Sequence, residues 1–350
     1  MMGRAAVLTI VGLALMSSSV WSQAKPSAAP VAPKQPAGSA SSATQGPPIT
    51  PKPGAAAAIK SCYPSKWGAA DQKGAANNIT PARTLEAAKL IKRGKSIRMG
   101  IETNAKTPAF APRTFSLTVV APGQEYGGTI GATKTSYHDD IVNGWVGIGS
   151  QIDGLAHVGI DTTYYNCNKG KDILSVGGLK KLGIENVPAI ATRAVILDMV
   201  GLLNQKPVQE GTAFNRKQIE DALKREKISA IGPGDVVIFY TGWTTLIGKD
   251  DKRYGTVEPG LGIEGAQYLA SLGVVAVGAD NWAVEVLPPE RPTDAFHVHQ
   301  ILLAMNGVYI LENVDASEAV ADGVYEGFFT LGAARVTGGV QSLINPILVY

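Results

Sequence analysis

Four short, largely apolar runs in the second half of the chain limit what it can fold into. They cover residues 191–200, 236–240, 274–277 and 308–311. Runs of this kind are typical of strands that are buried on both faces, as in a parallel sheet. Helical patterns separate them over residues 215–227, 262–271 and 295–305. Strands that alternate with helices predict an α/β fold.

The first half of the chain is richer in loops and strands. Thr80 followed by Pro81 predicts a helix start, with Thr as the N-cap and Pro at the first helical position, and Gly94 predicts its end. Residues 114–120 alternate between polar and apolar side chains and predict a strand. Since there is no internal repeat and no second linker, we expect residues 59–350 to form one domain.

The first 24 residues have the pattern of an export signal. Arg4 precedes an apolar run from Ala5 to Met16, and Ser22-Gln23-Ala24 resembles a cleavage site. This run is shorter than the about 20 residues that span a bilayer. We therefore expect a periplasmic or secreted protein that leaves the membrane once the signal is cleaved, with an uncleaved anchor as the alternative. Residues 25–58 are rich in Ala, Pro, Ser and Gly and are predicted to be a disordered linker.

Composition narrows the classes of partner. The 350 residues carry a formal net charge of +3, and no dense cluster of Lys and Arg is present. A protein that grips nucleic acid needs such a cluster, so no nucleic-acid partner is expected. With 45% hydrophobic and 17% charged residues, the chain has the composition of a packed globule and not of a disordered chain.

The two cysteines fit an exported protein. Cys62 and Cys167 lack the close CxxC spacing of a metal site. Because an oxidising compartment permits disulfides, we hypothesise a Cys62–Cys167 bridge.

A glycine-rich stretch at residues 147–159 concentrates reactive groups. It contains Asp153 and His157, four residues apart, and the amide Gln151 just before them. Glycine allows a backbone to approach a ligand closely. Asp153 and His157 could share a metal or a proton-transfer task, and the alternative is a polar turn with a hydrogen-bonded histidine.

Three further groups carry candidate ligands. His138 lies beside two aspartates, which is most simply a solvated loop. His297 and His299 would face different directions on a strand or helix, so one of them is expected to be structural. Glu312 directly follows an apolar strand and either enters a site or caps the strand in solvent.

Residues 149–157, Gly-Ser-Gln-Ile-Asp-Gly-Leu-Ala-His, resemble the second part of a known motif. It is the His-x-Gly-Thr-His-x-Asp-x-Pro-x-His motif of the cyclase superfamily, which includes bacterial kynurenine formamidase and isatin hydrolase. Other matching motifs are, in chain order, Trp67-Gly-Ala-Ala-Asp71, Gly234-Asp-Val-Val237, Thr241-Gly-Trp243, Gly278-Ala-Asp280, His299-x-x-Leu-Leu303 and Ile310-Leu-Glu-Asn313. The resemblance implies a single α/β domain of the swivelling β/β/α type, with a mixed sheet curled around the site. It also implies a homo-oligomer, since members are often dimers or tetramers.

The resemblance also implies roles for particular residues. Asp153, with Gln151, His299 and Glu312, would hold or orient a divalent metal, zinc or manganese, and His157 would be the catalytic proton shuttle. This chain departs from the motif at two metal-binding positions, because Gly147 and Gln151 stand where histidine ligands are expected. It has Ser-Gln-x-Asp in place of Thr-His-x-Asp.

These roles predict an exported metal-dependent hydrolase that cleaves the C–N bond of an aryl formamide or a small cyclic amide. Trp67 is expected to bind the aryl group of this amide substrate, and Tyr164, Tyr165 and Trp282 are further candidates that could instead pack in the core or at its rim.

Two other interpretations stay open. One is a non-catalytic small-molecule binding protein that kept the fold and lost the metal. The other is a metal-independent enzyme in which Asp153 orients His157.

Overall fold

The computed structural model describes residues 62–121 and 128–350, and a nine-stranded mixed sheet forms its centre. The strands are β1 (Ser96–Arg98), β2 (Phe115–Val120), β3 (Asp139–Gly144), β4 (Gln151–Asp153), β5 (Thr163–Tyr164), β6 (Asn168–Lys169), β7 (Ile190–Asp198), β8 (Ala213–Phe214), β9 (Val236–Tyr240), β10 (Gly260–Leu261), β11 (Ala276–Ala279), β12 (Tyr309–Glu312), β13 (Glu326–Leu331), β14 (Gln341–Leu343) and β15 (Ile347–Val349). The α-helices are α1 (Pro81–Ala88), α2 (Gly170–Ile173), α3 (Met199–Leu203), α4 (Arg216–Glu226), α5 (Asp251–Tyr254), α6 (Ile263–Leu272), α7 (His297–His299) and α8 (Ser317–Ala321), and α7 continues as a π-helical turn at Gln300–Met305. Short 3₁₀ turns lie at Gly74–Asn78, Tyr165–Cys167, Ile184–Asn186 and Trp243–Leu246.

The sheet has a parallel centre and antiparallel edges. Its order is β1-β15-β13-β7-β9-β11-β12-β4-β14. Strands β7, β9, β11 and β12 run parallel, whereas β4 is antiparallel to both β12 and β14. All residues of β9, β11 and β12 are buried, which explains their continuous apolar sequences. The predicted α/β class with a mixed sheet is confirmed.

The predicted helix starts agree with the structure better than the predicted helix ends. The Thr80 hydroxyl accepts a hydrogen bond from the Arg83 N–H at 3.3 Å, so α1 begins where predicted. It ends at Ala88, however, and the prediction of an end at Gly94 was wrong. Two residues of the predicted apolar face, Leu85 and Ile91, are 67% and 39% exposed, so this face is not buried and no packing extends the helix along it. At α4, Asn215 and Gln218 form the capping box at the predicted start.

Strands β2 and β3 form a two-stranded ribbon outside the main sheet. They pair antiparallel from Phe115 opposite Gly144 to Val120 opposite Asp139. The strand predicted at residues 114–120 is therefore confirmed. Its apolar side chains are largely exposed, in contrast to those of the central sheet. The segment that follows the ribbon leads into the glycine-rich stretch.

The predicted disulfide between Cys62 and Cys167 is confirmed. The two Cα atoms lie 4.9 Å apart, within the usual range for a bridge. The Asn166 amide donates to the carbonyls of Gly68, Ala69 and Asp71, so this neighbour of the bridge also holds the N-terminal segment.

The predicted signal at residues 1–24 and linker at 25–58 lie outside the described residues. Within residues 62–121 and 128–350, no helix is both long and apolar enough to cross a membrane.

Candidate active site

Four polar side chains share one face of the sheet where β4 lies between β12 and β14. Along a strand, alternate residues point to the same face, so Gln151 and Asp153 lie on one side of β4. The antiparallel register places Glu312 opposite Gln151 and Gln341 opposite Asp153, which brings their side chains to that face. The Gln151 amide donates to Glu312 Oε2 at 2.5 Å, and the Gln341 amide donates to Asp153 Oδ1 at 2.7 Å.

His299 reaches this face from α7. Its Nε2 lies 3.8 Å from Asp153 Oδ2 and 3.6 Å from Glu312 Oε1. On the other side of the ring, Nδ1 lies 2.7 Å from Glu285 Oε2, which also accepts the His299 backbone N–H. A carboxylate at one ring nitrogen fixes the tautomer and directs the other nitrogen, as in metal sites where a second carboxylate orients the histidine ligand.

The loop that carries Glu285 is held by buried polar groups. The carboxylate of Glu258 accepts the backbone N–H groups of Trp282 and Ala283, both at 3.1 Å. The Asn281 side chain accepts the N–H of Val284, which has a φ of 62°. A β-branched residue in this left-handed conformation is held there only by its surroundings. Glu285 therefore follows a rigid bend.

Two buried oxygens on β4 have no hydrogen-bond partner among the described residues. They are Asp153 Oδ2 and Gln151 Oε1. Ligand atoms of Asp153, His299 and Glu312 lie within 4.8 Å of one another, and all three residues are buried. Leaving a buried polar atom unpaired costs about 1–3 kcal/mol, more when it is charged. A divalent cation held by these three residues would satisfy Asp153 Oδ2, and carboxylate and imidazole donors suit zinc or manganese. The residues present therefore fit a metal.

The protonation of His299 reflects the excess of carboxylates. Burial by itself lowers the pKa of His299, but hydrogen bonds to Glu285 and Glu312 and the charge of Asp153 outweigh it and raise the pKa to about 10. Burial, with the charge of Asp153, raises the pKa of Glu312. A proton and a metal cation would thus compete for Nε2 of His299, so metal binding would release a proton.

His157 lies at the edge of the cluster. Its Nε2 is 4.0 Å from Asp153 Oδ2, and 20% of its side chain is exposed. Burial lowers the pKa of His157, and the charges of His299 and Arg113 lower it further, against the opposite effect of Asp153. The imidazole is therefore neutral at pH 7 and able to accept a proton.

Gly147 leaves room for two longer side chains. A Cβ built on Gly147 would lie 2.8 Å from Arg113 Nη1 and 2.8 Å from Gln341 Oε1. The Arg113 guanidinium donates to the Gly147 carbonyl at 2.6 Å. Where a family ligand was expected, this chain thus has no side chain, and Arg113 and Gln341 occupy the adjoining space.

The structure brings together Gln151, Asp153, His157, His299 and Glu312. Glu312 is 5% exposed, so the alternative that it caps the strand in solvent is wrong.

Other candidate residues lie elsewhere. His138 is exposed at the ribbon, as its simplest interpretation predicted, and the His297 ring contacts Gln300 instead of the cluster.

The structure does not bring Trp67 to this cluster. Trp67 lines a surface pocket with Tyr165, Val274 and Val308, at the end of the sheet where β11 and β12 begin. The cluster lies instead beside the end of β12, at Glu312. The binding of an aryl group by Trp67 stays a prediction, and it would have to occur away from the cluster. The apolar ring of Trp67 packs against the hydrophobic core, and this packing accounts for its position.

A different aromatic group adjoins the cluster. The Phe110 ring stacks on Trp282 with 5.5 Å between centroids and meets Phe296 edge-on at 6.2 Å. Phe296 in turn contacts the His299 ring at 5.3 Å. The buried Trp282 Nε1 has no hydrogen-bond partner.

Sequence reasoning missed Glu285, Gln341 and Arg113. Glu285 had a usable signal, because it closely follows a buried parallel strand, and ligands bind near the carboxyl ends of such strands. Gln341 and Arg113 had none, since each reaches the site through contacts with residues far along the chain.

Comparisons with known proteins place this site in a family context. A family model described as putative cyclase matches residues 97–286. The crystal structure of a novel cyclase has 32% sequence identity and a TM-score of 0.74, covering 82% of this chain and 98% of that chain. No curated protein sequence matches at a significant level.

Two more distant structures share the fold. An isatin hydrolase bound to the product analogue thioisatinate has 15% identity and a TM-score of 0.53, over 77% of this chain and 98% of its own. Isatin hydrolase A from Ralstonia solanacearum has 15% identity and a TM-score of 0.55, over 77% of this chain and 97% of its own. The expected α/β cyclase fold is thereby confirmed.

Proposed function

Since the chain belongs to the putative cyclase family, we propose that it is a metal-dependent hydrolase acting on the C–N bond of an aryl formamide or a small cyclic amide. The observation that carries the proposal is the buried Oδ2 of Asp153, which has no hydrogen-bond partner among the described residues and lies 3.8 Å from Nε2 of His299. The fold that this chain shares with isatin hydrolases supports an aryl amide, cyclic or linear, as its substrate.

Asp153, His299 and Glu312 would hold the metal, and Gln151 would add its amide oxygen. When bound, a divalent metal polarises a carbonyl and lowers the pKa of a bound water. Glu285 keeps Nε2 of His299 directed at the cluster through its contact with Nδ1. Gln341 holds the second oxygen of Asp153, which leaves Oδ2 for the cation.

His157 would move the proton. Its neutral Nε2 accepts a proton from the attacking water, and the resulting imidazolium donates it to the leaving nitrogen. Asp153, at 4.0 Å, stabilises the charged imidazole between these two transfers. Such acid–base assistance contributes typically about 10²–10⁴-fold to a rate.

The experiment combines metal analysis with hydrolysis of formylkynurenine and isatin by metal-loaded protein. We expect His157→Ala to lower kcat by about 10²–10⁴-fold. His138→Ala is the matched control, because His138 is exposed on the ribbon, and it should leave kcat unchanged. If His157→Ala turned over both substrates at the wild-type rate, the proton-shuttle role would be refuted.

A non-catalytic binding protein is the second candidate. Gly147 and the amide of Gln151, in place of two imidazoles, weaken the donor set and favour it. Metal analysis separates the two candidates. Stoichiometric zinc or manganese supports the hydrolase, whereas a metal-free protein whose thermal stability ignores chelator and added metal supports the binder.

Export and self-association stay predictions. The Cys62–Cys167 disulfide supports an exported protein, because such bridges persist in oxidising compartments. Fractionation of expressing cells would test the location, and light scattering of the purified protein would test the oligomeric state.

A further inference from the structure

Arg113 brings a permanent positive charge to the edge of the site. Its Nη1 donates to the Gly147 carbonyl at 2.6 Å and adjoins the side chain of Gln341, whose amide binds Asp153. The charge of Arg113 acts on both His157 and Glu312. Arg113 is therefore close enough to the reacting region to contact a bound substrate.

Most donors of the Arg113 guanidinium are unused within residues 62–121 and 128–350. The group has five N–H donors, and its hydrogen bond to Gly147 uses one of them. No carboxylate of these residues forms an ion pair with it, although Asp153, Glu285 and Glu312 lie in the same region. Those carboxylates face His299, Gln151 and Gln341 instead. A planar guanidinium fork with free donors matches a carboxylate in geometry and charge.

An aromatic surface comes from the same segment. Phe110 lies three residues before Arg113, is 46% exposed, and stacks on Trp282. Phe296 continues this surface to the ring of His299. Rings of this kind bind an aryl group by offset stacking or edge contact.

We propose that Arg113 is a specificity residue that binds a carboxylate on the substrate, and that the substrate is therefore an aromatic amide bearing an anionic group. The inference rests on the proposed hydrolase function. Arg113 meets the donor cluster through Gln341 and not directly, so it contacts the periphery of the substrate and not the carbonyl under attack. The aromatic surface formed by Phe110, Trp282 and Phe296 binds the aryl ring of the substrate.

The test compares 2-formamidobenzoate with formanilide, which lacks the carboxylate, on metal-loaded wild type, Arg113→Gln and Arg113→Lys. We expect Arg113→Gln to raise KM for 2-formamidobenzoate about 10- to 100-fold more than KM for formanilide, the size of a hydrogen bond to a charged group. Arg113→Lys should recover part of the difference, because it restores the charge without the fork. Equal changes in KM for both substrates would overturn the inference.

The matched control is Lys106→Gln, which removes an exposed cation from the same segment and should leave both KM values unchanged.

A binding measurement separates failure of this inference from failure of the proposed hydrolase. Calorimetry with 2-aminobenzoate and aniline needs no turnover. If wild type hydrolyses neither these formamides nor formylkynurenine nor isatin, but binds 2-aminobenzoate more tightly than aniline, and Arg113→Gln removes the preference, Arg113 keeps its role and the hydrolase is refuted. If wild type hydrolyses both formamides but shows no preference for the anion, the inference on Arg113 fails alone.

Discussion

Removing the Cys62–Cys167 disulfide should lower the stability of the fold without changing its site. The bridge closes a loop with a sequence separation of 105 residues. In the chain-entropy model, removing the bridge raises the entropy of the unfolded chain. For a loop of this length, this lowers the free energy of unfolding by about 4.8 kcal/mol at 25 °C. That is a large share of the about 5–15 kcal/mol by which proteins are stable. At about 2.1 cal/mol/K per residue for a folded part of roughly 290 residues, the expected fall in Tm is about 8 °C.

The folded state should survive the change because other contacts hold the same segment. The Asn166 amide binds three carbonyls of residues 68–71, and the Tyr165 hydroxyl donates to Asp71 at 2.7 Å. The loss should therefore arise in the unfolded chain, whose freedom increases, and not in the packing of the native protein.

The assay is urea unfolding of wild type and of the double variant Cys62→Ser/Cys167→Ser, followed by circular dichroism. The single variant Cys62→Ser is the control, because it also opens the loop and should lose as much stability. Dithiothreitol should bring wild type to the stability of the variants and leave theirs unchanged. A double variant with the midpoint and m-value of wild type would refute the loop-entropy argument.

Three further predictions concern the metal and the core. A metal at 100 times its Kd should stabilise wild type by about 2.7 kcal/mol, or about 4 °C in Tm, and Asp153→Asn should remove this shift while the exposed control Asp139→Asn keeps it. Glu285→Gln should weaken metal binding about 10- to 100-fold in a titration, and unchanged affinity would contradict its orienting role. Burial raises the pKa of Glu226 to about 7, against an ordinary 4.5, so the folded state binds more protons between these values. Wild-type stability should thus fall by at most about 3 kcal/mol as pH rises from about 4.5 through 7, and Glu226→Gln should flatten this dependence in urea titrations while Glu220→Gln on the exposed face of α4 does not.

Features that depend on residues close together in the chain could be predicted from the sequence alone. The apolar run of residues 236–240 became a fully buried strand with the predicted bounds, because its composition satisfies a strand covered on both faces. Thr80 and Pro81 placed the start of α1, since a helix start is decided by one side chain and one fixed φ. Two cysteines allowed only one pairing within the chain, and that pairing is present.

For the site, the motif at residues 149–157 identified Asp153 and His157 as candidate residues. Whether these residues meet His299 and Glu312 depended on strand pairing, which the structure provides. The structure also placed Trp67 at the other end of β11 and β12.

The polar groups that complete the site follow from tertiary packing. Gln341 binds Asp153 across a separation of 188 residues because β14 pairs with β4 in one register, and a shift of one residue would turn Gln341 to the other face. Arg113 reaches the site because Gly147 leaves the space that a side chain would fill. Local sequence sets the conformation of each segment, but register and shared volume arise only when distant segments pack together. The proposed metal ligands, and the positive charge of Arg113 that we propose for substrate recognition, come together through this packing.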